Sequence, residues 1–124
     1  MENSISFDFM KKEWQSFLHA FRGILLVVRE ERHFRFHLLA VCIVSAAGWH
    51  FNISLSEWIY LALCFGLVLM AEAFNSAVEA VCDAVTLDKN PFIKKAKDLA
   101  AGAVLIASIA AAVVGALIFL PRFL

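Results

Sequence analysis

The sequence predicts an all-α membrane protein: an N-terminal amphipathic surface helix followed by three transmembrane helices. Three observations carry that prediction. The 124 residues are 62% hydrophobic with a mean hydropathy of +0.79, more apolar surface than a soluble domain of this size can bury. No Lys or Arg occurs between Phe36 and Asp88. Helix punctuation appears where the apolar runs begin, at Ser54 and at Asn90-Pro91. The length suits one domain, residues 1–124. The start, MENSISFDFMKKEW, has no apolar core or small-residue cleavage site and is not expected to be a signal peptide.

The first element spans about residues 4–30. Phe7, Met10, Trp14, Phe17, Phe21, Ile24 and Val28 recur at three-four spacing, while Lys11, Lys12, Gln15, Ser16, His19, Arg22 and Arg29 take other positions. That pattern describes an amphipathic helix lying on a membrane surface. The second element, about residues 34–51, is slightly short of the ~20 residues that cross a bilayer core and relies on its flanks. The third, about residues 55–85, opens with Ser54-Leu55-Ser56-Glu57 at capping-box spacing, with Ile53 and Trp58 placed as a hydrophobic staple. A helix of that length reaches about 45 Å, so its C-terminal end extends into the headgroups or beyond. The fourth, about residues 91–120, starts with Asn90 as N-cap and Pro91 at the first helical position. Its many alanines and glycines favour close helix contacts.

Ten of the eleven basic residues lie in Lys11–Arg35 and Lys89–Lys97, and the eleventh is Arg122. Three spans put the first two groups on one side, which is therefore cytoplasmic. Cys42, Cys64 and Cys82 have no ligand spacing and read as apolar packing residues. His19, His33, His37 and His50 also lack such spacing and read as interfacial polar groups. There is no P-loop motif. No nucleic-acid partner is expected.

The segment MAEAFNSAVEAVCD places Glu72, Asn75, Glu79 and Asp83 on the third element, within about 80° of helical arc. Glu72 lies about 21 Å along the axis from Trp58, the outer interface anchor, and so inside the inner leaflet. A charge at the centre of a spanning helix costs about 2.5–3.5 kcal/mol, which marks Glu72 as functional rather than structural. Further acids, Glu30-Glu31 and Asp98, are surrounded by Arg29, Arg32 and Arg35, and by Lys94, Lys95 and Lys97. Carboxylates among cations at a membrane interface suit a nucleotide phosphate with Mg²⁺, which takes one or two carboxylates plus phosphate oxygens, although Arg29, Lys94 and Lys95 taken singly fit anionic lipid headgroups better. Glu72 and Glu79 are about 10.5 Å apart along the axis, too far to share one ion easily. Their roles divide. Glu72, the more desolvated, is the better proton acceptor and lies at the depth of a lipid hydroxyl. Glu79, nearer the water, is the better metal ligand, with Glu31 as the second carboxylate. The rival function is a small proton- or cation-coupled transporter that uses Glu72. It leaves the cluster of Glu31, Glu79, Lys97 and Asp98 without a role.

The stretches AEAFNSAVEAVCDAV and KKAKDLAAGAVLIASI, extended by EERHFRFHL and SLSEWIYLALCFGLVL, resemble the small prokaryotic integral-membrane diacylglycerol kinase and undecaprenol kinase family over nearly the whole chain. The resemblance implies a homotrimeric bundle with active sites shared between subunits. It implies transfer of phosphate from ATP, with Mg²⁺, to a lipid alcohol at the cytoplasmic face of the cell membrane. It implies a catalytic base at Glu72, metal ligands at Glu31 and Glu79, and further active-site positions at Asn75, Asp83, Lys97 and Asp98. Lys12, Asp83, Asp88 and Lys97 are the expected nucleotide contacts. One departure is the loop Asp88-Lys89-Asn90, where relatives tend to carry a Glu-Tyr-His run; Asp88 is expected to take the place of that glutamate. EERHFRFHL and IFLPR look closer to the undecaprenol kinase branch, so undecaprenol is favoured over diacylglycerol as substrate.

Overall fold

A computed structural model describes residues 2–124, with side chains from Ser4 onward, and every candidate site residue falls within it. Four helices follow one another: α1 (Glu2–Glu30), α2 (Arg32–His50), α3 (Leu55–Val85) and α4 (Pro91–Phe123). The chain divides into two compact units, one ending at Arg32 and the other running from His33 to Leu124.

The first unit is essentially α1. Its apolar row is real and unsatisfied: Phe7, Met10, Trp14, Phe17 and Phe21 are all exposed. Such a row costs hydrophobic free energy in water and recovers it against an apolar surface.

The second unit is organised by α3 and α4, which pack along each other. Their junction is set by local chemistry. Thr86 caps α3 in extended backbone, with its N–H donating to the Cys82 carbonyl. The Thr86 hydroxyl oxygen accepts from the Asp88 N–H at 3.0 Å. Asn90 then caps α4, its Oδ1 accepting from the N–H groups of Phe92 (2.9 Å) and Ile93 (3.3 Å), with Pro91 needing no partner at the first position.

The opposite end of the bundle holds the apolar core: Ile53, Leu61 and Ile118 are buried, with Val44, Phe51, Trp58, Phe65, Val114 and Phe119 packed against them. Asn52 turns the chain there with φ 48°, a left-handed conformation that asparagine tolerates. The expected capping box forms. Ser54 Oγ accepts from the Glu57 N–H at 3.2 Å, and Glu57 Oε2 accepts from the Ser54 N–H at 2.7 Å. Gly48 leaves room for this corner, since a Cβ there would meet Ile53 Cδ1 and the Trp58 ring at 2.9 Å. The helix α4 runs past the expected end near Leu120 to Phe123. Arg122 lies in that added turn, donating to the Ile118 carbonyl and pairing with Glu57 Oε2 at 2.8 Å.

Beside this apolar core, large apolar side chains of α3 and α4 face outward. Leu63, Phe74, Leu105, Ile106 and Leu117 are exposed, while Glu72 is buried. Two helices, α3 and α4, are long and apolar enough to cross a membrane, and little of either is buried within the chain. At about 46 Å and 50 Å both exceed a ~30 Å hydrocarbon core, so their ends project. The expected first span falls on α2, which has 19 residues and carries Arg32, His33, Arg35, His37 and His50. It is long enough but less apolar than α3 and α4, and does not qualify as they do.

Candidate active site

The acidic stripe lies on an uninterrupted helix. Because α3 continues from Leu55 to Val85, Glu72, Asn75, Glu79 and Asp83 stay on one face, and they grade from buried to exposed. Glu72 is only 6% exposed, the one buried polar or charged side chain among the described residues. Asn75 and Glu79 are half-buried and Asp83 is exposed.

Each member has a partner. Glu72 Oε1 lies 3.0 Å from Nε2 of His37 on α2. Asn75 Nδ2 donates to Glu79 Oε1 at 3.4 Å. Lys97 Nζ on α4 donates to Asp83 Oδ1 at 2.7 Å, so the cationic side of the candidate site is tied to the acidic stripe. Asp98 pairs with Lys94 one turn away on the exposed surface of α4 rather than with the stripe. Asp88 sits in the exposed loop between α3 and α4. Lys12 and Glu31 belong to the first unit, on α1 and just after it.

Among the described residues no three His, Cys, Asp or Glu side chains gather closely enough to enclose a metal. The donors on the stripe nevertheless fit Mg²⁺. Glu79 offers a carboxylate and Asn75 a carbonyl oxygen, both hard donors, and this ion completes its shell with substrate phosphate and water. Asn75 Oδ1 is buried and has no hydrogen-bond partner among the described residues. An unmet buried acceptor costs about 1–3 kcal/mol, so a donor or cation belongs beside it. Asn75 is also the polar lining residue of an apolar groove of about 470 Å³ between α3 and α4, walled by Met70, Phe74, Val78, Ala103 and Ala107.

His37 is not marked by the sequence: the four histidines read alike as interfacial groups, and nothing in their spacing singles one out. The only sequence signal is indirect: a glutamate too deep to be solvated needs a partner, and the apolar spans offer few.

The family model for prokaryotic diacylglycerol kinase matches residues 18–119. An undecaprenol kinase from Bacillus subtilis (strain 168) is 39% identical over 113 residues, covering 91% of this chain and 92% of the relative. A diacylglycerol kinase from Synechocystis sp. is 36% identical over 122 residues, covering 92% of this chain and 70% of the relative. A diacylglycerol kinase from Pseudomonas aeruginosa is 32% identical over 90 residues, or 72% of each chain. The sequence motifs, the outward-facing apolar side chains and these matches agree, and the chain belongs to the prokaryotic diacylglycerol kinase family.

Proposed function

We propose that this lipid kinase transfers the γ-phosphate of ATP to the terminal hydroxyl of undecaprenol at the cytoplasmic face of the cell membrane. The observation that carries the reading is the buried Glu72 at the head of a stripe that ends in an exposed Lys97–Asp83 pair. A proton acceptor at lipid depth and charged groups at the water are what a reaction between a membrane alcohol and a soluble nucleotide requires. Undecaprenol is preferred to diacylglycerol on the name and coverage of the Bacillus relative.

In this mechanism the lipid hydroxyl oxygen attacks the γ-phosphorus. The bond from that phosphorus to the bridging oxygen breaks and ADP leaves. Glu72 takes the hydroxyl proton. Asn75, which lines the apolar groove, orients the hydroxyl, and the groove accommodates apolar chain. Lys97 faces the nucleotide phosphates, and Asp83 holds the ammonium in place. Glu79 would hold Mg²⁺, which when bound neutralises phosphate charge. Lys12, Glu31, Asp88 and Asp98 keep the roles that the family resemblance implies for them, and substitution tests each.

The same reading includes α2 as a third membrane span and a homotrimer with shared sites. The exposed apolar faces of α3 and α4 and the small residues of α4 support close contact with further chains. The alternative of an ion-coupled transporter loses its support with the family assignment.

The experiment is phosphate transfer from labelled ATP by purified protein in mixed micelles, with undecaprenol and diacylglycerol offered separately and Glu72→Gln as control. Labelling of undecaprenol that fails in the variant supports the full reading. Preferential labelling of diacylglycerol overturns the substrate, and a fully active variant overturns the role of Glu72.

A further inference from the structure

The catalytic reading uses Glu72 but leaves its partner unexplained. A carboxylate has two oxygens, and a general base needs one. In Glu72, Oε1 lies 3.0 Å from His37 Nε2, a contact from α2 to α3 across 35 residues of sequence. The two side chains differ in setting: that of Glu72 is 8% exposed and that of His37 is 27% exposed. A deeply buried carboxylate is matched to a ring that reaches the edge of the unit.

We propose that His37 is the positioning residue of the base: its Nε2–H donates to Glu72 Oε1, fixes the carboxylate and leaves Oε2 to take the proton of the lipid alcohol. This rests on the reading of Glu72 as the base.

The chemistry follows from the two groups. A carboxylate only accepts hydrogen bonds, so this contact requires the proton on Nε2 and fixes the ring tautomer. A hydrogen bond to an ionised acceptor is stronger than one between neutral groups. It also removes the torsional freedom of a glutamate side chain, which would otherwise spread the basic oxygen over several positions. A contact that only glued α2 to α3 would affect folding and leave the chemical step alone.

Four variants of the full chain in mixed micelles test this, with undecaprenol, ATP and Mg²⁺: His37→Leu, His37→Gln, His37→Asn and Glu72→Gln. His37→Leu is expected to lower kcat by about 10- to 100-fold, the range over which outer partners of functional groups act. The KM values for lipid and ATP should change little. His37→Gln, whose longer amide carries an N–H to nearly the same place, should recover most of kcat. His37→Asn keeps polarity but is too short, and should resemble His37→Leu; it replaces that variant if leucine prevents folding. The inference is overturned if the leucine or asparagine variant keeps wild-type kcat, if KM moves in place of kcat, or if glutamine recovers nothing. An inactive Glu72→Gln beside a fully active His37→Leu sinks the positioning role alone, whereas a fully active Glu72→Gln sinks the reading of the base and this inference with it.

Discussion

Glu72 and Glu79 are both carboxylates on one helical face, and the proposed function gives them different work. The buried Glu72 has a histidine partner, and the half-buried Glu79 accepts from an amide. Removing a general base costs about 10²–10⁴ in rate, so Glu72→Gln should lower kcat by at least 100-fold at every Mg²⁺ concentration. Glu79→Gln should behave differently. Its lost rate should return in part as Mg²⁺ is raised, with the half-saturating concentration up by about tenfold or more. A magnesium titration of both variants checks the division, and identical curves would refute it. Lys97 adds a second residue-level test. Its pair with Asp83 is 38% and 50% exposed, too open to the solvent to carry much stability. Lys97→Met should therefore leave thermal unfolding in detergent nearly unchanged and raise the KM for ATP. A large drop in melting temperature with an unaltered KM would make the pair structural.

Among the elements, the end of the bundle remote from the loop 86–90 is held by interactions of two kinds, and they were not equally legible. The cap of α3 was readable in Ser54-Leu55-Ser56-Glu57, because a cap is closed within one turn by neighbours in sequence. The same holds for Asn90-Pro91. The clasp of Arg122 onto Glu57 joins residues 65 apart and depends on where α4 ends against α3, which no local pattern encodes. His37 and Glu72 are hidden for the same reason. The spacing of Glu72, Asn75, Glu79 and Asp83 revealed a shared face, but not that Asp98 would turn to Lys94. Substitution separates the contributions. Ser54→Ala should cost about 1 kcal/mol through the lost cap. Gly48→Val should cost more. It gains helix propensity over glycine but drives a branched side chain into the Trp58 ring, which is already within 2.9 Å of a bare Cβ. Thermal unfolding in detergent measures both, and a Gly48→Val protein as stable as the parent would mean that the corner repacks freely.

At the scale of the whole molecule, the number of times the chain crosses the bilayer turns on α2. Both α3 and α4 qualify on their own composition, whereas α2 carries arginines and histidines at its start and has only 19 residues. Its polar residues are gathered unevenly: Arg32, His33, Arg35 and His37 occupy the first turns, and the stretch from Leu38 to Gly48 has no charge. A helix of this design can cross if its basic start stays among headgroups and its apolar remainder spans, with some thinning of the bilayer. Crossing by α2 also puts ten basic residues on one side and Arg122 on the other, the distribution the positive-inside rule favours. Cysteine labelling decides it. With Cys42, Cys64 and Cys82 replaced by alanine, single cysteines go in at Ser4, Asn52 and Lys89, and intact cells meet a membrane-impermeant thiol reagent. Three spans predict labelling at Asn52 alone, with Ser4 and Lys89 reacting only after permeabilisation. If Ser4 and Asn52 label together and Lys89 does not, α2 lies on the surface, and the carboxylate stripe of α3 would have to be served by basic residues of α4 and its loop alone.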